Sequence, residues 1–211
     1  MYMQLTGEDI SFRYNDKSPW ILKDVSISIK SGERVGVVGP SGYGKSTLAK
    51  ILSGYEKPDS GSVTIDGVPL PKKGYSPIQM IYQHPELSVN PRLKMGDVLQ
   101  EAWTPDDDLL ERMGIEKKWF SRWPSELSGG ELQRFCIARV LAPETKFLVC
   151  DEITTMLDAI TQAQIWQLLL QEGEKRNLGM MIITHNKSLA ERVCTRVIEL
   201  PKLNNIERMD V

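Results

Sequence analysis

The stretch GPSGYGKST, Gly39 to Thr47, carries the strongest indication of the fold. It fits the pattern G-x-x-x-x-G-K-[ST], with Gly44, Lys45 and Ser46 at its end. Glycines let backbone amides approach phosphate oxygens, and a following helix adds the positive end of its dipole. An apolar run, RVGVVG, comes directly before the loop. The sequence therefore predicts a nucleotide-binding loop between a strand and a helix.

Each position of this loop has an expected contact with the nucleotide. Lys45 can reach the β- and γ-phosphates, and the Ser46 hydroxyl can bind Mg²⁺. The expected ligands are therefore a nucleoside triphosphate and Mg²⁺. The other loop positions, predicted to surround the phosphates, are Gly39, Pro40, Ser41, Gly42, Tyr43, Gly44 and Thr47.

Five short apolar runs predict buried strands, and helical patterns fall between several of them. The helical patterns are KSTLAKILSGY, ELQRFCIARVLA, ITQAQIWQLLLQEGEKR and KSLAERVC. Strand–helix alternation with nearly continuous apolar strands predicts an α/β fold with a parallel sheet covered on both faces. The runs are RVGVVG from Arg34, MIY at Met80, FLVC at Phe147, MMIIT at Met180 and RVIEL at Arg196.

Two other regions differ from this predicted core. VSISI and SVTIDG alternate apolar and polar residues, which predicts antiparallel strands with one solvated face. Between Pro85 and Pro124 the pattern predicts short helices and turns. There, TPDDDLLERMG predicts a helix capped by Thr104 with Pro105 in its first position, which accounts for the three aspartates better than a metal site does.

Composition restricts the classes of function. The 211 residues suit one domain with a small inserted subdomain, and the net charge of −2 argues against nucleic acid as a partner. Cys136, Cys150 and Cys194 form no CxxC pair, which argues against a zinc or iron–sulfur site and fits a reducing compartment. Neither an export signal nor a membrane-spanning run is apparent, so we expect a cytosolic chain whose membrane role comes through partners.

Polar side chains follow three of the apolar runs. In FLVCDE, Asp151 is a candidate Mg²⁺ ligand and Glu152 a candidate general base; the alternative is a solvated acidic turn. His185 in MIITHN and Gln83 in MIYQHP also follow apolar runs, on the edge where doubly wound sheets bind ligands. The alternative for both is a structural role at the end of a strand.

A second glycine pair lies in LSGGELQR, Leu127 to Arg134. Ser128 and Glu131 fit the capping box S-x-x-E at the start of a helix. A capping box does not require glycine at both middle positions, and helix propensity disfavours glycine there. Two interpretations stay open: a well-capped helix, or an anion site with uncovered amides.

Five motifs resemble those of ATP-binding cassette (ABC) ATPases, in the family's order and over essentially the whole chain. They are GPSGYGKST (Walker A), YQHP (Q-loop), LSGGELQR (signature), DEITTMLD (magnesium–base strand and D-loop) and ITHN (switch histidine). The resemblance implies a single P-loop NTPase domain, residues 1–211, with a RecA-like, mostly parallel sheet. The nucleotide-binding core would span 33–57, 71–84 and 129–211, an antiparallel β subdomain 1–32 and 58–70, and a helical subdomain 85–128.

The resemblance also implies roles for single residues. In the family two cassettes pack head to tail, and the signature loop of each cassette closes over the nucleotide bound by the other. In this chain the signature loop would comprise Ser128, Gly129, Gly130 and Glu131. Asp158 would lie along the face that the two cassettes share. Tyr14 would stack on adenine, the alternative being a core tyrosine. Lys45, Gln83 and His185 would join Glu152 in catalysis, and Gln83 would join Ser46 and Asp151 at the metal. Ile153 and Asn186 depart from the family pattern without removing a chemical group, so an active ATPase is expected.

Longer stretches resemble the oligopeptide and nickel uptake importers, namely QHPELSVNPRLKMGDVLQEA, WPSELSGGELQRFCIARVLA and LDAITQAQIWQLL. That branch implies a peripheral ATPase at the cytoplasmic face of the cell membrane. Its partners would be a second, identical or different cassette, two transmembrane permeases and, indirectly, an extracytoplasmic solute-binding protein. Peptide, nickel and metal-chelate cargo all stay open. Trp119, Phe120 and Trp123 are interpreted as local core, with a permease-docking surface as the alternative.

Two other functions compete with import. One is a soluble ABC ATPase that acts on ribosomes or DNA, which the single cassette and the negative charge disfavour. The other is a regulatory cassette without hydrolysis, which the presence of Lys45, Asp151, Glu152 and His185 disfavours.

Overall fold

The computed structural model describes residues 2–155 and 157–206, which contain two β-sheets. The first is antiparallel, in the order β2-β1-β4-β5, and the second is parallel, in the order β6-β7-β8-β3-β9. The strands are β1 (Gln4–Phe12), β2 (Leu22–Lys30), β3 (Arg34–Val38), β4 (Ser60–Ile65), β5 (Val68–Pro69), β6 (Ile78–Ile81), β7 (Phe147–Asp151), β8 (Gly179–Ile183) and β9 (Arg196–Glu199).

Helices connect and cover these strands. They are α1 (Lys45–Leu52), α2 (Met95–Gln100), α3 (Asp107–Arg112), α4 (Gly129–Val140), α5 (Ala159–Arg176), α6 (Lys187–Val193) and α7 (Leu200–Leu203). Single 3-10 turns occur at Pro85–Leu87, Lys117–Trp119 and Pro124–Glu126. Within residues 2–155 and 157–206, no helix combines the length and the apolar character needed to cross a membrane.

The parallel sheet separates two hydrophobic clusters. Successive residues of a strand point to opposite faces, so Leu148 and Cys150 of β7 pack with α4 and α5, whereas Phe147 and Val149 pack with α1 and the antiparallel sheet. This arrangement confirms the predicted α/β class and the covering of the parallel sheet on both faces. All five apolar runs form its strands.

One of these strands does not have the predicted burial. Val197 is 44% exposed and Ile198 is only half-buried, whereas every residue of β7 and β8 is buried. Among the described residues β9 pairs only with β3, at one edge of the sheet. The other edge strand, β6, is mostly buried, so the packing around an edge strand decides its exposure. The apolar pattern of RVIEL predicts a strand correctly but not its place in the sheet.

In the helical segment between β6 and β7, the predicted helix cap is wrong. Helix α3 is capped by Asp106, whose Oδ1 accepts a hydrogen bond from the Leu109 amide at 2.8 Å, and Thr104 and Pro105 lie before the cap. Aspartate is the stronger cap of the two, which explains the shift.

The aromatic cluster divides between core and surface. Trp119 is buried, and Phe120 packs edge-on against Phe135 with ring centroids 5.8 Å apart. Trp123 is 41% exposed, with the Lys94 ammonium 5.8 Å from its ring centroid. The core interpretation therefore holds for the first two rings and not for Trp123.

Candidate active site

The phosphate loop joins β3 to α1 through backbone conformations that favour glycine. Gly42 and Gly44 have φ of 78° and 87°, and Gly44 caps α1. A side chain at Gly44 would also place its Cβ 3.0 Å from the Ile21 carbonyl oxygen and 2.9 Å from Leu22 Cδ2. Both backbone sterics and close packing therefore require glycine at this position.

Lys45 is held inside the loop. Its side chain is buried, and Nζ donates hydrogen bonds to the carbonyl oxygens of Gly39 and Pro40, both at 2.9 Å. A buried ammonium group needs such partners, because an unpaired charge in this environment is costly. The ammonium group is therefore positioned within the loop that would surround a phosphate.

Asp151 ends β7 beside the start of α1. Burial raises the pKa of its carboxyl group, and the negative charge of Glu152 adds to this, while a hydrogen bond with Ser46 and the charge of Lys45 act in the opposite direction. A hydroxyl and a carboxylate oxygen are hard ligands, and Mg²⁺ is bound by few protein ligands together with phosphates and waters. The pair Ser46 and Asp151 fits such an ion, because a divalent cation would compensate the buried negative charge.

Glu152 follows in a left-handed backbone conformation with φ of 49°. Its amide donates to the Ile183 carbonyl at the end of β8, and Oε2 lies 3.4 Å from Nδ1 of His185. Non-glycine residues with positive φ are uncommon and often occur at functional sites. The carboxylate is mostly buried, and the imidazole that contacts it is 66% exposed.

Gln83 is brought into the same cluster by a residue that sequence reasoning missed. Its Nε2 donates to Thr155 Oγ1 at 3.2 Å, and Thr155 Oγ1 donates to the Glu152 carbonyl oxygen at 2.9 Å. Gln83 and Thr155 are 72 positions apart, and nothing local in DEIT identifies the threonine as a partner. The cluster of Lys45, Ser46, Gln83, Asp151, Glu152 and His185 therefore lies at the carboxyl ends of β3, β6, β7 and β8.

The second glycine loop forms the predicted capping box. The Ser128 amide donates to Glu131 Oε2 at 2.7 Å, and the Glu131 amide donates to Ser128 Oγ at 3.3 Å. The hydrogen bond from the Ser128 backbone lowers the pKa of Glu131. A Cβ on Gly129 would find no atom within 4 Å, and one on Gly130 would make only ordinary contacts. Packing within the chain therefore does not require glycine at either position.

Asp158 lies beside this loop as the N-cap of α5. Its carboxylate accepts hydrogen bonds from the Ile160 and Thr161 amides and from the Thr161 hydroxyl, and that hydroxyl is the largest cause of a lowered pKa. Residues of both segments line an open cleft of about 730 Å³ between α3, α4 and α5. Asp158 thus has a local structural role whatever else it contacts.

Tyr14 lies on the connection between β1 and β2 and is 66% exposed. Its ring meets Phe12 edge-on, with ring centroids 5.2 Å apart. This exposure excludes the core alternative.

A comparison with known proteins identifies the family. The family model described as ABC transporter matches residues 22–155, which is more than half of the chain. The chain belongs to the ABC transporter family. As a member of this ATPase family, it is an enzyme that hydrolyses ATP.

The similar proteins found agree with this assignment. The nickel import ATP-binding protein NikE of Rhodospirillum rubrum is 36% identical, over 90% of this chain and 76% of that protein. NikE of Escherichia coli K12 is 36% identical, over 84% of this chain and 74% of that protein. The predicted resemblance to ATP-binding subunits of ABC importers is confirmed at this level.

Two solved structures share the fold. The ATP-binding cassette MJ0796, in a dimeric post-hydrolysis state bound to ADP and Pi, is 26% identical with a TM-score of 0.79, covering 98% of this chain and 97% of that one. CbiO1 of Clostridium perfringens, part of the ABC transporter complex cbiONQ, is 26% identical with a TM-score of 0.75, covering 93% and 84%. These matches confirm the ABC cassette fold.

Proposed function

We propose that this chain binds and hydrolyses ATP as one of two cassettes that power a membrane importer of a small solute. The observation that carries the proposal is the cluster at the carboxyl ends of the parallel strands. There the buried Lys45, the Ser46–Asp151 hydrogen bond and the Glu152–His185 contact meet beside one glycine loop. These groups match the needs of phosphoryl transfer to water.

In this proposal the backbone amides of residues 39–47 and the Lys45 ammonium bind the phosphates. Glu152 accepts a proton from the attacking water, and His185 orients the Glu152 carboxylate. Gln83, held by Thr155, positions the water. Ser46, Asp151 and Gln83 would hold Mg²⁺, which neutralises charge that develops on the phosphates. Tyr14 stacks on the adenine.

The proposal assigns Ser128, Gly129, Gly130 and Glu131 to the ATP of a partner cassette, with Asp158 along the shared face. Support comes from Gly129, because the space where its side chain would lie is open. It also comes from the helix start, where uncovered amides and the dipole favour an anion. The partner is a second copy or a similar cassette.

The transport role rests on the relatives. NikE is named for nickel import, so we propose nickel, a metal chelate or a peptide as cargo, at the cytoplasmic face of a membrane with two permeases and an extracytoplasmic solute-binding protein. The proposed helical subdomain, 85–128, presents the exposed Trp123 as a permease contact. The core would comprise 33–57, 71–84 and 129–211, and the antiparallel subdomain 1–32 and 58–70.

The test is affinity purification of the tagged chain from detergent-solubilised membranes of its source cells, with ATP and Mg²⁺ present. Two polytopic membrane proteins are expected at a fixed ratio to the cassette. A parallel purification with Trp123→Ala tests the proposed contact and should reduce their recovery. Ribosomes or nucleic acid recovered in their place would contradict the import role and favour the soluble alternative.

A further inference from the structure

The position of the phosphate loop depends on a neighbouring backbone segment. Gly44 packs against Ile21 and Leu22 so closely that a single added methyl group would clash with both. Gly44 is also the residue at which α1 begins and the direct neighbour of Lys45. A shift of the Ile21 carbonyl towards Gly44 would therefore displace the start of α1 and the groups expected to bind phosphate.

Asn204 holds this segment in place from the far end of the sequence. The Lys23 amide donates to Asn204 Oδ1 at 2.9 Å, and Asn204 Nδ2 donates to the Ile21 carbonyl oxygen at 2.9 Å. The Asn205 amide adds a bond to the Lys23 carbonyl oxygen at 3.1 Å. The Asn204 side chain is buried, and it satisfies the backbone on both sides of Leu22. Both ends of its amide are needed, because one donates and the other accepts.

Residues 200–205, which include Asn204, also touch the other end of the phosphate loop. A Cβ on Gly39 would lie 3.0 Å from Pro201 Cδ in α7. Leu200, at the start of α7, is completely buried in the core and anchors the helix. Residues 200–205 therefore contact the loop directly at Gly39 and, through Asn204 and Ile21, at Gly44.

We propose that Asn204 is a positioning residue for nucleotide binding, which sets the phosphate loop by holding the Ile21 carbonyl. The proposal rests on the proposed function, since it assumes that the loop binds the phosphates of ATP. Asn204 contacts no reacting group. Its loss should therefore weaken binding of the phosphates and raise KM, while kcat at saturating ATP is kept.

The decisive variants are Asn204→Asp and Asn204→Leu, with Asn205→Ala as control. Aspartate keeps the shape and the acceptor for the Lys23 amide but loses the donor to Ile21, whereas leucine loses both. Asn205→Ala changes an exposed side chain and leaves its backbone hydrogen bond intact. Binding of ATP and of inorganic tripolyphosphate, each with Mg²⁺, is measured by calorimetry at a temperature where circular dichroism shows every variant folded.

Both Asn204 variants should bind ATP and tripolyphosphate about five- to thirtyfold more weakly, as expected for the loss of one or two hydrogen bonds. The Asn205→Ala control should match the unmodified chain. A role in stability alone would lower the melting temperature and leave both dissociation constants unchanged, which would overturn the inference. If Asn204→Leu does not fold, the isosteric Asn204→Asp decides. An unmodified chain that binds neither ligand would instead overturn the proposed function.

Discussion

At the scale of single residues, the exposure of Tyr14 separates its two interpretations, an adenine-stacking ring and a core tyrosine. An aromatic residue in an α/β protein is commonly part of the core, yet this ring is 66% exposed and makes a T-shaped contact with Phe12. In the proposed function this ring, on the connection that leads to Ile21 and the phosphate loop, stacks on the adenine.

We predict that Tyr14→Ala weakens ATP binding by about five- to 150-fold, or ~1–3 kcal/mol, because one stacking face is lost. Calorimetric titration with ATP measures the change. Tyr2→Ala is the matched control, since Tyr2 is also highly exposed but lies before β1, away from the connection that carries Tyr14. Equal affinities of Tyr14→Ala and the unmodified chain would remove Tyr14 from the site.

Glu152 is the residue on which the chemical step depends in the proposed function. We predict that Glu152→Gln still binds ATP but releases phosphate about 10²- to 10⁴-fold more slowly, because the amide cannot accept the proton from water. The isosteric change Glu144→Gln, on an exposed loop, should leave the rate unchanged. Phosphate release under single turnover measures both, and a normal rate for Glu152→Gln would assign the base to another group.

At the scale of elements, α4 has two features at its start that the sequence alone could not separate. The capping box is present, so Ser128 and Glu131 have a complete structural explanation. Gly129 has none, because its missing side chain would contact nothing within the chain. Stability and activity should therefore respond in opposite directions to a change at this residue.

We predict that Gly129→Ala leaves the free energy of unfolding of the single chain unchanged or raises it by up to about 1 kcal/mol, because alanine favours the helix. The added methyl group would meet the partner's nucleotide, so ATP turnover should fall about a hundredfold, the size of losing one aligned donor. Urea unfolding without nucleotide and phosphate release measure the two effects. Normal ATP turnover by Gly129→Ala would contradict the proposed role of this loop at the partner's nucleotide, and α4 would then be only a well-capped helix.

At the scale of the whole molecule, the phosphate loop and the Ser128–Glu131 loop serve different nucleotides in the proposed function. One chain then holds each half of a complete site, and a partner must supply the other half. ATP hydrolysis would then require two chains to associate. A P-loop ATPase with its complete site in one chain has no such requirement.

We predict that phosphate release per molecule falls on dilution, because the complete site dissociates into chains that each hold only half of it. The rate is measured over a wide range of protein concentration at saturating ATP and Mg²⁺. Glu152→Gln supplies the control, since it should form a dimer with ATP that size-exclusion chromatography detects. A rate per molecule that stays constant while the chain remains monomeric would contradict the shared site.

Features that depend on neighbouring residues could be predicted from the amino-acid order alone. The strand–loop–helix around Gly44, the capping box at Ser128 and Glu131, the five strands and the α/β class all follow from local sterics, hydrogen bonding and periodicity. The same reasoning placed the cap of α3 two positions early, because Asp106 and Thr104 are both acceptable caps.

Contacts between distant residues could not be predicted in this way. The Gln83–Thr155 contact, the edge position of β9, the exposure of Tyr14 and the bonds between Asn204 and Ile21 join residues with no common local pattern. Such pairs form when the whole core packs, because burial of apolar surface brings the elements together and buried polar groups must then find partners. A buried asparagine 183 positions from its carbonyl acceptor is therefore visible only in the folded chain.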